Sequence, residues 1–132
     1  MPRELIDPPE LYDGVPYSYV AVAPAAGDTV FTAGACPLDS DGAVVGGRDV
    51  AAQMRQTLDN LVVALRAAGC GLEDVVKTTV YVASADRADL VAAWAVVEEL
   101  FGSHGPPGTL LGVAALGFDG QLVEIEAVAV RA

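Results

Sequence analysis

The 132-residue sequence contains one lysine, one histidine and two cysteines, and each scarcity excludes a class of function. A protein that tracks a nucleic-acid backbone needs clustered lysines and arginines to displace counterions. Lys77 and a scatter of arginines do not supply such a cluster. Seven basic against eighteen acidic side chains leave a net charge of −11, which also disfavours an anionic membrane surface. Cys36 and Cys70 are too few for a disulfide framework, and His104 by itself is no basis for a zinc site. No metal or cofactor is called for, and a reduced, cytoplasmic setting is expected. No apolar run reaches the ~18 residues of a membrane helix, because Arg66, Glu73 and Asp119 interrupt the candidates. The opening MPRELIDPPE is acidic and Pro-rich, unlike a secretion signal or a transit peptide.

Apolar content is what the chain has in excess. Hydrophobic residues make up 53% of it. At this length one domain, residues 1–132, buries roughly two-thirds of its unfolded surface. The remaining apolar side chains need a partner, and a second copy of the chain is the simplest one.

The pattern alternates between two periods. Residues 1 to 14 read as an irregular lead-in. Pro16 to Ala23 and Thr29 to Ala33 read as two strands of a hairpin, followed by a Gly-, Asp- and Pro-rich loop from Gly34 to Gly47. From Asp49 to Ala68, Val50, Met54, Leu58, Leu61, Val62 and Leu65 recur at helical spacing, with Gln53 off the stripe and Gly69 closing the helix. Val75 to Val82 is a β-branched strand. Ser84 is placed to cap a second helix whose stripe is Leu90, Trp94, Val97, Leu100 and Phe101, ended by Gly102. Two more strands follow, Thr109 to Ala115 and Leu122 to Val130, joined through Gly117, Asp119 and Gly120. The order is β-β-α-β-α-β-β, an α+β fold. Two helices cover one face of a mixed sheet, and the far face is left for other copies.

The last strand has a chemical peculiarity. Alternation puts Val123, Ile125, Ala127 and Ala129 on one face and Glu124 and Glu126 on the other. An ionised carboxylate on an otherwise apolar strand face needs a partner, so one of the two is expected to be structural and the other free for a site.

Motifs along the whole chain resemble those of the RidA (YjgF) family. They are Pro16-Tyr17; Thr32-Ala33-Gly34 before Cys36-Pro37; Ala52-Gln53-x-Arg55-Gln56-x-Leu58-x-Asn60; Ala67-Ala68-Gly69; Asp74 to Val80; and Glu124-Ile125-Glu126-Ala127-Val128-Ala129-Val130. The resemblance implies a fold similar to trimeric chorismate mutase: a homotrimer with a central barrel, helices outside, and a small-molecule pocket at each subunit seam. It also implies hydrolysis of reactive enamines and imines, released from amino acids by pyridoxal-phosphate enzymes, to 2-keto acids and ammonia. The implied catalytic residue is Glu124, positioning water or moving a proton. The implied pocket contains Tyr17, Ala33, Trp94, Gly108, Thr109 and Leu110.

At four of those positions the family's polar group is missing. Gly108 stands where the family has the arginine that grips a substrate carboxylate. Leu110 replaces a small thiol, Ala33 a serine, and Trp94 a polar residue. The resemblance therefore implies a divergent hydrolase whose imine, enamine or related substrate lacks the usual carboxylate, with Leu111 also shaping an apolar pocket. Two alternatives stay open. One is a non-catalytic trimer that binds a small ligand or a partner protein. The other is an ordinary 2-iminobutanoate/2-iminopropanoate deaminase in which Arg3, Arg48 or Arg131 replaces the arginine. Several residues also have bland readings: Gly108 as a turn glycine, Trp94 as helix core, Tyr17 as packing, His104 as a solvent-facing loop residue, and both cysteines as small hydrophobes.

Overall fold

The computed structural model describes residues 3–102 and 105–132. Its centre is a four-stranded mixed sheet. In chain order the strands are β1 (Glu4–Ile6), β2 (Val20–Val22), β3 (Asp28–Phe31), β4 (Val75–Val82), β5 (Gly108–Gly112) and β6 (Val123–Arg131). The central sheet runs β3-β6-β4-β5, with β4 and β5 parallel and the other pairs antiparallel. Helices α1 (Val50–Ala67) and α2 (Arg87–Phe101) pack on each other and on one face of this sheet.

The first strands depart from the sequence reading. The expected hairpin of residues 16–23 with 29–33 does not form. Instead β2 pairs with β1, inside the stretch read as irregular, and β3 pairs with β6. A three-residue strand carries too little pattern to register as one, and which strand it pairs with is a long-range property. The last two strands are not neighbours either, because β4 lies between β5 and β6.

The α1 stripe is as expected where it is apolar. Met54, Leu58, Leu61 and Leu65 are buried against Val75, Val80, Val82, Val123, Ile125, Ala127 and Ala129 of the sheet. Asp49 caps the helix by accepting from the Ala52 amide at 3.1 Å, and Gly69, at φ +78°, takes the left-handed position that ends it. The cap of α2 is Asp86 rather than Ser84; the Ser84 hydroxyl instead accepts from the Asp86 amide and donates to Asp89.

Gln53, read as off the stripe, is fully buried. Its amide nitrogen donates to the carbonyls of Gly47 (2.7 Å) and Gly120 (2.9 Å), and its oxygen accepts from the Leu122 amide at 2.8 Å. This one side chain ties the loop before α1 to the turn that feeds β6. No helix among the described residues is long and apolar enough to cross a membrane.

The other face of the sheet has no layer on it within one protomer. Phe31 is 75% exposed there, and Lys77, Thr79, Tyr81, Thr109, Leu111, Glu124, Glu126 and Val128 share that face by strand parity. The carboxylates on it are partnered locally. The Tyr81 hydroxyl donates to Glu126 Oε1 at 2.5 Å, which holds the phenol above its ordinary pKa. Lys77 Nζ donates to Thr109 Oγ1 at 2.7 Å.

Candidate functional site

Tyr17, Trp94, Gly108, Thr109 and Leu110 come together, with Pro16, around an open cleft of about 490 Å³ at the exposed edge of β5. The Trp94 ring stands edge-on to Tyr17, centroids 6.0 Å apart at 86°. Such T-shaped pairs place the positive edge of one ring on the negative face of the other. Among the described residues no charged side chain lines this cleft.

Gly108 is not a turn glycine. It opens β5, opposite Thr78 on β4, without a positive φ. Its missing side chain matters for a different reason: a Cβ there would sit 2.6 Å from Cη2 of Trp94 and 2.9 Å from the Thr78 hydroxyl oxygen. The indole fills the space that a side chain at 108 would need. Glycine at 108 and tryptophan at 94 are thus one exchange of volume between strand and helix, and neither is independent of the other.

Trp94 is both of the things its helix position allowed. It packs against the core cluster and forms a wall of the cleft. Its Nε1 is buried, with no acceptor among the described residues. Leu110 packs on the core from the same side, whereas Leu111 points to the opposite face of the sheet and is half exposed.

Ala33 and Glu124 are not in this cleft. Glu124 pairs across the ladder with Tyr81, on the face away from the helices, whereas Gly108 and Leu110 pair with Thr78 and Val80 on the helix face. The sheet itself separates them within one protomer. Around Glu124 a second group assembles. Cys36 Sγ lies 3.3 Å and Gln121 Nε2 lies 3.2 Å from Glu124 Oε1, while Oε2 rests over Gly34, next to the exposed Ala33. Gln121 is buried and fully engaged, donating also to Val123 O and accepting from the Phe118 amide.

Cys36 therefore differs from the inert hydrophobe expected, which Cys70, buried in the core, does match. Burial and the hydrogen bond to Glu124 push the Cys36 thiol up to about 11, so it is a protonated donor at neutral pH. Neither Cys36 nor Gln121 carried a sequence signal for this role. Their neighbourhood depends on the bridge between Ala35 and Ile125, which joins segments far apart in the chain.

The three arginines considered as substitutes lie elsewhere. Arg131 pairs with Asp28 at 2.6 Å, and Arg3 donates to the Leu72 carbonyl at 2.9 Å. Arg48 lines a separate cavity with Ser84 and Asp89. His104 lies outside the described residues. Among the described residues no group of three His, Cys, Asp or Glu side chains is placed to hold a metal ion.

Comparison with known proteins adds the following. Residues 10–131 match the profile of the family described as Endoribonuclease L-PSP. A RutC family protein of Pyrococcus horikoshii is 40% identical over 117 residues, covering 88% of this chain and 87% of that protein. A 2-iminobutanoate/2-iminopropanoate deaminase of Salmonella typhimurium is 40% identical over 108 residues, covering 80% of this chain and 81% of the enzyme. The crystal structure of the Rid-family protein YyfB from Yersinia pestis superposes with a TM-score of 0.91 at 35% identity, over 99% of this chain and all of that one.

Proposed function

The chain belongs to the endoribonuclease L-PSP family, which includes the RutC and Rid proteins, and on that premise we propose that it hydrolyses an imine or enamine without a carboxylate. Its site is formed at the seam between copies of a homotrimer. One protomer supplies the Tyr17, Trp94 and Gly108 cleft, and its neighbour supplies Glu124. The observation that carries this reading is the separation of the two groups by a sheet whose outer face, with Phe31 exposed, has no cover of its own. A second sheet laid on that face buries the apolar side chains and brings a carboxylate to the cleft from outside.

The chemistry follows from the groups present. Water adds to the C=N carbon, and Glu124 accepts its proton as the C–O bond forms and passes it to nitrogen, giving the neutral carbinolamine. Glu124 then takes the carbinol O–H proton and delivers it to nitrogen, so that the C–N bond breaks as the carbonyl forms and ammonia leaves. The aromatic cleft holds the substrate's apolar part. Among the described residues of one protomer no guanidinium lines the cleft, so a substrate carboxylate gains no charge-assisted anchor from it, a difference of about 1.5–3 kcal/mol.

Two free thiols fit a reduced, cytoplasmic setting. Cleavage of RNA would need a cationic track, and a net charge of −11 with one lysine supplies none.

The test is a panel of imines generated in the assay from amines and from amino acids. The reading expects amine-derived imines to be turned over with a kcat/KM roughly 10-fold or more above that of 2-iminopropanoate and 2-iminobutanoate. A preference for the imino acids of the same size would overturn it in favour of ordinary deamination. Binding of neutral ligands with no release of ammonia would favour the non-catalytic reading.

A further inference from the structure

The surroundings of Glu124 are asymmetric. Both donors that reach it, the Cys36 thiol and the Gln121 amide, meet the same oxygen, Oε1, at 3.3 and 3.2 Å. Among the described residues no donor reaches Oε2, which lies so close over Gly34 that any Cβ there would overlap it. Gln121 cannot turn away. Its oxygen holds the Phe118 amide at 3.1 Å and its nitrogen holds the Val123 carbonyl at 2.9 Å. The thiol is the adjustable member of the set, within reach of Glu124 Oε1 or, at 3.5 Å, of the Gly34 carbonyl.

We propose that Cys36 is a positioning residue, which with Gln121 fixes Glu124 by Oε1 so that Oε2 alone, over Gly34, holds the water and receives its proton. This rests on the assignment of Glu124 as the group that activates water. A carboxylate with two donors on one oxygen has its rotation about the last bond arrested, and its remaining lone pairs face a single direction. The glycine supplies the room: at 34 a backbone with no side chain lets the reacting oxygen approach the seam. Cys36 does no covalent chemistry in this scheme. Held protonated up to about 11, it is a donor and not a nucleophile over the whole working range.

The experiment has two independent readouts, both made on a Cys70→Ala background so that one thiol is observed. The first needs no substrate. Thiolate absorbance is followed against pH in the parent and in Glu124→Gln. The thiol of the parent should titrate near 11, and that of Glu124→Gln should titrate lower, because an anionic acceptor has been replaced by a neutral amide. Identical titrations would mean that the contact does not exist in solution, and would overturn the proposal whatever the activity.

The second readout compares Cys36→Val with Cys36→Ser on the imine panel. Valine keeps the volume and removes the donor, so kcat should fall about tenfold or more with KM held within about twofold; serine, which keeps a donor, should restore most of the loss. Equal kcat in parent and Cys36→Val would overturn the positioning role. A parent that turns over no imine would count against the proposed function instead, and the thiol titration would still decide whether Cys36 holds Glu124.

Discussion

Glu124→Gln is expected to lower ammonia release from carboxylate-free imines by about 10²–10⁴-fold, with little change in KM. The substitution keeps the shape and can still accept from Cys36 and Gln121, so the fold and the cleft should be unaffected. What it removes is a group that can take a proton from water as the C–O bond forms and hand one to the departing nitrogen. The loss corresponds to about 2.7–5.5 kcal/mol of transition-state stabilisation. Steady-state rates on the imine panel check it. A variant within threefold of the parent would remove Glu124 from the chemistry. Glu126, which shares the strand face, is not free to take over, since Tyr81 occupies it at 2.5 Å.

Gln53→Leu should be the most damaging substitution to stability away from the apolar core. Gln53 is fully buried, and the variant strands two carbonyls, Gly47 and Gly120, and one amide, Leu122. The Leu122 amide, left unsatisfied on a half-buried residue, costs about 1–3 kcal/mol, and the hydrogen bonds lost at the carbonyls of the exposed Gly47 and Gly120 cost about 0.5–1.5 kcal/mol each, so the total is roughly 3 kcal/mol against a domain stability of about 5–15 kcal/mol. For a chain of this size Tm should fall by roughly 10–20 °C, measurable by calorimetry or circular dichroism. A fall under about 3 °C would show that water replaces the amide and that the tie is dispensable. Because Gly120 and Leu122 flank Gln121, the same substitution should also loosen the hold on Glu124 and lower kcat below what the stability loss explains.

The sequence carries most of this fold openly. Strand β4 is a run of β-branched residues bounded as the pattern says, and α1 is an amphipathic stripe between an aspartate cap and a left-handed glycine. The alternation of β6 separates Val123, Ile125, Ala127 and Ala129 from its two glutamates as read. The pairing of β3 with β6 and the existence of β1 were not legible, because short strands take their partners from the rest of the fold. Gln53 was hidden for a related reason: polar residues look solvent-facing until the loops that they bind are folded around them.

The candidate site was legible in one half only. Tyr17, Trp94, Gly108, Thr109 and Leu110 do line one cleft. Why Gly108 accompanies Trp94 could not be read from two positions in different elements; it follows from the 2.6 Å that would separate a Cβ at 108 from the indole. The cost of a charge on an apolar strand face pointed to one of the two glutamates and the family resemblance to Glu124, yet the donors that reach it are a cysteine and a glutamine whose residue types announce nothing. The placement of Gly108 and Glu124 on opposite faces of one sheet, which the proposal reads as a divided site, appears only once the register of β4 with β5 and β6 is known.

That division can be tested by mixing two disabled chains. Gly108→Leu fills the cleft against Trp94, and Glu124→Gln removes the carboxylate; neither alone should hydrolyse the imine. If each site takes its cleft from one copy and Glu124 from the next, random trimers refolded from an equal mixture have both intact halves at about a quarter of their seams. The mixture should then recover roughly a quarter of the parent's rate. A mixture no more active than the disabled chains would contradict a site built from two copies.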